Sequence, residues 1–288
     1  MFFTFSDILL LSKRIKKMPR AIDEELRGWN WHEPPLYSPS LSQVSVSELI
    51  YCSTLRSLYL KSRGVKGEIN KSIVQGSLIH KVYATAIETV KRLIYTKADD
   101  GNTLRTLMAD EFYSLQVSEE EAPYAKVLWD YITNIYSSEL DKVRSKFSNL
   151  LRDAIVSQVV PFYVEFPIDG SFLGLGNLRV DAFVPHLPLI AEMKTGKYRY
   201  THELALAGYA LAIESQYEIP IDFGYLCYVN VSEKDVKNNC KLIPITDSLR
   251  SEFLDLRDKG QEVLDKGIDP GIAKDCEKDC IFYKVCHG

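Results

Sequence analysis

From Gly76 the chain reads GSLIHKVYATAIETVKRLIY, with apolar Ile79, Val82, Tyr83, Ala86, Ile87, Val90, Leu93 and Ile94 recurring every three or four residues. That spacing predicts an amphipathic helix, and His80 sits at the edge of its apolar stripe. Upstream, SVSELIYCSTLRSLYLKSRG opens with Ser45 and Glu48 three residues apart, a capping-box spacing, and closes at Gly64. It predicts one helix carrying Cys52 in its first half. From about Thr103 to Val160 helical patterns with charged faces recur, broken at EEEAPY, and predict a helical lobe without chemistry of its own. Three β-rich runs follow, VVPFYVEFPI, NLRVDAFV and LPLIAEMKT, separated by Gly or Pro as in a small meander. Next come a short helix, HELALAGYALAIES, two strands, FGYLCYVNV and CKLIPIT, and a charged helix from about Asp247 to Lys266. The tail DPGIAKDCEKDCIFYKVCHG predicts no regular structure. Near the start, PRAIDEELRGWNWHEPPLYSPS mixes Pro, Gly and Trp without a period, and reads as an irregular ordered loop or a partner-binding flap.

At 288 residues the chain is long enough for one large domain with a sizeable core. A formal net charge of -4 gives no global attraction to polyanions, so any nucleic-acid surface must be local. The first residues, MFFTFSDILLLSKRIKK, place their basic cluster after a short apolar run and lack a small-residue cleavage site, unlike a secretory signal. No uncharged run approaches the roughly 20 residues of a membrane span. The expectation is a soluble, cytoplasmic protein, in which six cysteines read as metal ligands or core thiols before disulfides.

The strand pair NLRVDAFV and LPLIAEMKT carries Asp181, Glu192 and Lys194 among aliphatics. If PHLP, residues 185–188, forms the loop, Val184 pairs with Leu189, and counting back sets Asp181 opposite Glu192 and Arg179 opposite Lys194. Facing carboxylates repel across strands and require a cation. Alternation keeps Lys194 beside Glu192 and turns Met193 away. A divalent ion such as Mg²⁺ or Mn²⁺ suits such oxygen ligands. The ordinary alternative is a solvated strand face.

A strand Asp followed on the next strand by Glu-x-Lys resembles the PD-(D/E)xK nuclease core, and Gly76-Ser-Leu-Ile-His80 is similar to the Gly-x-x-x-His motif of its RecB-type branch. The resemblance implies a mixed β-sheet flanked by helices, with a helical insertion and an iron–sulfur-stapled lobe. It implies that His80, Asp181, Glu192 and the Met193 carbonyl bind Mn²⁺ or Mg²⁺, that Lys194 orients a water, and that Tyr209 holds a DNA phosphate. Gly76 would leave room for substrate or backbone to approach. The branch places a Gln four residues before that Tyr, where this chain has Ala205, so the contact is missing or passes to His202 or Glu203.

Cys276-x₃-Cys280-x₅-Cys286 and the remote Cys52 make a four-thiol set that suits a [4Fe–4S] cluster, with zinc as the alternative. One cysteine before the nuclease core and three after it match the cluster-bearing RecB-type nucleases. SELIYCSTLRSLYLK further resembles the CRISPR-associated RecB-like nuclease of the adaptation module, in its archaeal type I-A variant. That resemblance, from about Ser45 to Cys286, implies trimming of DNA ends before integration, with integrase proteins as partners. It divides the chain into an extension (1–44) and one nuclease domain (45–288). Within that domain lie a helical lobe (about 97–155), a core (about 156–246) and a tail (247–288). A repair exonuclease and a catalytically weak scaffold subunit are the rival readings; the missing phosphate loop excludes a fused helicase. Cys227 and Cys240 read as inert core thiols, His287 as a spare ligand. Arg56, Lys61 and Arg63 are either strand contacts or a solvated helix face.

Overall fold

The computed structural model describes residues 2–19 and 22–288, so Arg20 and Ala21 of the early Pro-rich stretch lie outside the described residues. Five strands form one mixed sheet in chain order: β1 (Tyr163–Asp169), β2 (Asn177–Val184), β3 (Leu189–Lys194), β4 (Phe223–Val231) and β5 (Val236–Pro244). All neighbours run antiparallel except β3 and β4, which are parallel. A parallel pair needs a crossover, supplied here by the helix Thr201–Tyr217.

The chain opens with α1 (Phe5–Ile15), α2 (Val46–Leu49) and α3 (Arg56–Ser62). Then come α4 (Lys71–Thr96), α5 (Gly101–Phe112), α6 (Ala122–Lys146) and α7 (Arg152–Val159). The crossover helix is α8, followed by α9 (Asp247–Lys266) and α10 (Tyr283–His287). Helices α1 and α4 to α7 bury their apolar stripes against one sheet face, through Val82, Ile87, Trp129 and Ile155 onto Ala182, Val184, Met193 and Cys227. The opposite face, with Val180, Phe183, Ile190 and Leu226, packs on α8, α9 and residues from Leu26 to Leu58. Helix α8 is apolar nearly all round because it is sandwiched between the sheet and α9; at Gly208 a Cβ would stand 2.3 Å from the Phe253 ring. The result is a helix–sheet–helix sandwich with a separate core on each face. No helix among the described residues is long and apolar enough to cross a membrane.

Strand arithmetic exposes an irregularity. Along β2, Leu178 and Val180 face the second core, yet so does Phe183, whereas Ala182 and Val184 face the first. Simple alternation forbids Val180 and Phe183 from sharing a face. Along β1, Val164 packs against the first core and Phe166 against the second. Both strands therefore change faces at one cross-strand position, Glu165 and Asp181, and Glu165 sits there at φ 49°. A non-glycine residue in the left-handed region is strained, and such strain collects where function requires it.

Three expectations need correction. The helix expected to carry Cys52 is two helices, and Cys52 lies between them, because Leu55 adopts φ 61° and the flanking hydroxyls bond the tail. Ser53 Oγ donates to Asp275 at 2.6 Å, and Thr54 Oγ1 to the Gly271 carbonyl at 2.8 Å. Such side-chain bonds compete with helix continuation. The tail is not wholly irregular, since α10 forms within it. Cys227 and Cys240 are not free core thiols: they face each other across β4 and β5, 4.0 Å apart at Cα, and form a disulfide.

The segment around Arg27 and Gly28 is held to the second core through polar anchors. Glu214, fully buried on α8, accepts from Arg27 Nη1 (2.8 Å), the Gly28 amide (2.9 Å), the Ile221 amide (2.9 Å) and both terminal nitrogens of Arg250 (2.7 and 2.9 Å). Arg250 is equally buried and also donates to the carbonyls of Leu26, Ile221 and Ile245.

Candidate active site and cysteine cluster

The β2–β3 loop has the expected form, with Val184 opposite Leu189, and the ladder continues to Ala182 opposite Ala191. One residue further the backbone pairing gives way to side chains. Asp181 Oδ2 accepts from the Met193 amide at 2.6 Å, and the Asp181 amide points at Glu192 Oε1 at 3.5 Å. Arg179 does not face Lys194. It pairs across β1 with Pro167 and contacts Glu165 at 3.3 Å, because the strands part at the acids.

Helix α4 brings His80 to this opening, with Nδ1 3.0 Å from Asp181 Oδ1. Its Gly76 allows close approach, since a Cβ there would stand 3.0 Å from Thr195 Oγ1 just past β3. One ligand atom each from His80, Glu165 and Asp181 lies within 4.8 Å of the others, a mixed N/O set able to hold a divalent cation. Glu165 escaped the sequence reading. Its signal is an acid inside FYVEFPI, and the β1–β2 register sets it opposite Asp181. Three acids thus form a row across three strands, Glu165, Asp181 and Glu192.

Glu192 is nearly inaccessible, and its Oε2 lies 3.0 Å from Lys194 Nζ. Burial, and secondarily the Asp181 charge, push its carboxyl up to about 7, with Lys194 offsetting part of the rise. For Lys194, burial alone would lower the ammonium, but Glu192 and Asp181 hold its pKa above the ordinary lysine value. Burial likewise opposes protonation of His80, yet the bond to Asp181 and the charges of Asp181 and Glu192 raise it overall. Met193 turns into the first core.

Tyr209 is buried on α8, and its hydroxyl is held well above the ordinary tyrosine value by burial and by the charges of Glu192 and Asp181. Ala205 is 1% exposed inside the second core, so it offers no polar contact. One turn earlier His202 Nδ1 lies 2.7 Å from the Tyr228 hydroxyl, and burial, with Lys194 and Arg199 nearby, pushes its imidazole down to about 4. Glu203 is engaged outside the site, accepting from the Tyr198 hydroxyl at 2.8 Å.

The four remaining cysteines, Cys52, Cys276, Cys280 and Cys286, are free and half-buried. They share one neighbourhood: burial, followed by the sulfurs of Cys280, Cys286 and Cys52, pushes the Cys276 thiol up to about 11. At Cys52, burial raises the thiol, but hydrogen bonds from Thr54, Ser57 and Arg56 bring it below the usual range. The tail is tied down around them by Arg56 to Asp269 at 2.8 Å, the Glu68 amide to the Ile281 carbonyl at 2.8 Å, and buried Phe282. Lys61 contacts Glu48 at 3.1 Å and Arg63 the Gly267 carbonyl at 2.7 Å, so Arg56, Lys61 and Arg63 all have internal partners. His287 is exposed and stacks on Tyr283.

The family model described as CRISPR-associated exonuclease Csa1 matches residues 1–288. A protein of that name from Saccharolobus solfataricus is 77% identical over 290 residues, covering 100% of both chains. Another from Thermoproteus tenax is 30% identical over 281 residues, covering 96% of each. The match of the whole chain, together with these two relatives, establishes that the protein belongs to the CRISPR-associated exonuclease Csa1 family.

Proposed function

We propose that the chain is a metal-dependent deoxyribonuclease of the PD-(D/E)xK kind that trims DNA ends for CRISPR spacer acquisition, with integrase proteins as its partners. The observation that carries this reading is the row Glu165, Asp181 and Glu192 at the point where the strands part, with His80 and Lys194 on either side. Three acids in such proximity are costly to keep ionised without a cation. His80, Glu165 and Asp181 are the residues that would hold Mn²⁺ or Mg²⁺, with Glu192 and the Met193 carbonyl as further oxygen donors. When bound, a divalent cation supplies Lewis-acid polarisation of a phosphodiester and makes water more acidic.

The side chains do the rest. Lys194 stays charged beside Glu192 and is available to neutralise charge that develops on a phosphate. Asp181 is held in orientation by the Met193 amide and His80. Glu192 is held in orientation by the Lys194 ammonium at 3.0 Å. Tyr209 adds a hydroxyl that remains protonated and able to donate.

Cys52, Cys276, Cys280 and Cys286 are proposed to hold a [4Fe–4S] cluster that fastens the tail to the α2–α3 turn. Support comes from four free thiols in one neighbourhood, drawn from opposite ends of the chain.

Cleavage of labelled single-stranded DNA with Mn²⁺ tests the nuclease reading. Wild type is expected to degrade it, and Glu192→Ala and Lys194→Ala are expected not to; equal activity in all three would overturn the assignment. An absorbance band at about 400 nm in anaerobically purified protein tests the cluster, because zinc gives none.

A further inference from the structure

A groove of about 360 Å³ opens on the sheet next to Lys194, lined by Tyr198, Tyr228, Asn239, Cys240 and Lys241. Tyr228 is the register partner of Lys194 across β3 and β4, and Asn239 is the partner of Tyr228 across β4 and β5. Strands stand roughly 4.8 Å apart, so one strand spacing separates Lys194 from Tyr228 and two separate it from Asn239.

Its aromatic rings are held in place yet accessible. Tyr198 is 53% exposed, while its hydroxyl donates to Glu203 and Lys241 Nζ lies 5.6 Å from its ring centroid. The Tyr228 ring stands 6.2 Å from that of Tyr198, and its hydroxyl is bonded to His202. The wall therefore combines a fixed aromatic face, an amide able both to donate and to accept, and the exposed ammonium of Lys241, whose internal partner is Glu203 at 3.5 Å. These match the three recognisable parts of an unpaired nucleotide: a base face that stacks, a base edge that hydrogen-bonds, and a phosphate. The disulfide one register position away fixes β5, and with it Asn239 and Lys241, against β4.

We propose that this groove is a nucleobase subsite, holding one unpaired base of single-stranded DNA next to the phosphate presented to the acid row. The identity of the strand rests on the nuclease reading; the base subsite has its own test. A paired base keeps its faces inside the duplex stack, so the groove would favour frayed or single-stranded ends.

Fluorescence anisotropy of a short labelled single strand, with the full chain in EDTA so that nothing is cut, measures the subsite. Tyr198→Ala is expected to weaken binding roughly five- to hundredfold, the range that base–aromatic stacking commands. Tyr198→Phe, which keeps the ring, binds like wild type. An abasic oligomer of equal length and charge binds wild type and Tyr198→Ala alike. Unchanged affinity in Tyr198→Ala, or an equal loss with the abasic oligomer, would overturn the proposal. Cleavage by wild type with unchanged Tyr198→Ala binding removes the subsite alone. Weakened, base-dependent binding in a protein that never cuts removes the nuclease reading and leaves the subsite standing.

Discussion

Replacing Glu214 by Ala is the sharpest test of how the second core is held together. Its carboxylate accepts five hydrogen bonds, from Arg27, Gly28, Ile221 and twice from Arg250. Without it, Arg27 keeps Asp222 at 2.8 Å, but fully buried Arg250 is left with carbonyl acceptors alone. Removing one partner of a buried ion pair costs about 3–5 kcal/mol. For a chain of this size that corresponds to a melting temperature lower by roughly 6–20 °C. Urea unfolding, with the slope compared between variants, measures the loss directly. The double variant Glu214→Leu/Arg250→Met should recover part of it, since it removes the unpaired Arg250 charge while leaving the Gly28 and Ile221 amides without their acceptor. A loss below about 1 kcal/mol in Glu214→Ala, or no recovery in the double variant, would refute the claim that the network is dry and mutually dependent.

Mn²⁺ should raise the melting temperature of the wild type, by an amount equivalent to about 2.7 kcal/mol at a hundredfold excess over Kd, and Glu165→Gln should lower that gain; equal gains would remove Glu165 from the ligand set. Cys280→Ala, which removes one thiol of the proposed cluster, should lose the absorbance at about 400 nm and loosen the whole domain, because ligation free energy is folding free energy. An unchanged melting temperature with the cofactor gone would refute that coupling. His202, depressed to about 4 in the fold, binds fewer protons than its unfolded counterpart at about 6.5, so stability is full above that value and falls as pH drops through the window between them. The loss reaches about 3 kcal/mol, and His202→Gln should flatten that limb of the stability–pH curve; an unaltered slope would assign it elsewhere.

Much of the frame could be read from residue order. The loop of four residues with Pro185 and Pro188 at its ends sets the β2–β3 register, and the nearness of Asp181, Glu192 and Lys194 follows by counting. Helix α9 spans Asp247–Lys266, as its charged periodicity indicates. Glu165 was not legible because β1 and β2 are joined through a 3₁₀ turn, Ser171–Leu173, whose length leaves the register open. The left-handed residue at Leu55 likewise has no glycine to announce it, which hid the break at Cys52. The Cys227–Cys240 bond depended on the β4–β5 register, another quantity that no local pattern states.

The exchange of faces in β1 and β2 makes one short segment a wall of two cores. Val180 answers to packing around α8 and α9, Ala182 to packing around α4 and α6, and Asp181 lies between them. A volume change deep in either core, at Phe253 or Trp129 for example, therefore pulls on the same aspartate from opposite directions. Variants that alter cleavage without touching a site residue should gather in both cores, and a pair with opposed displacements, one from each, should restore what either alone removes.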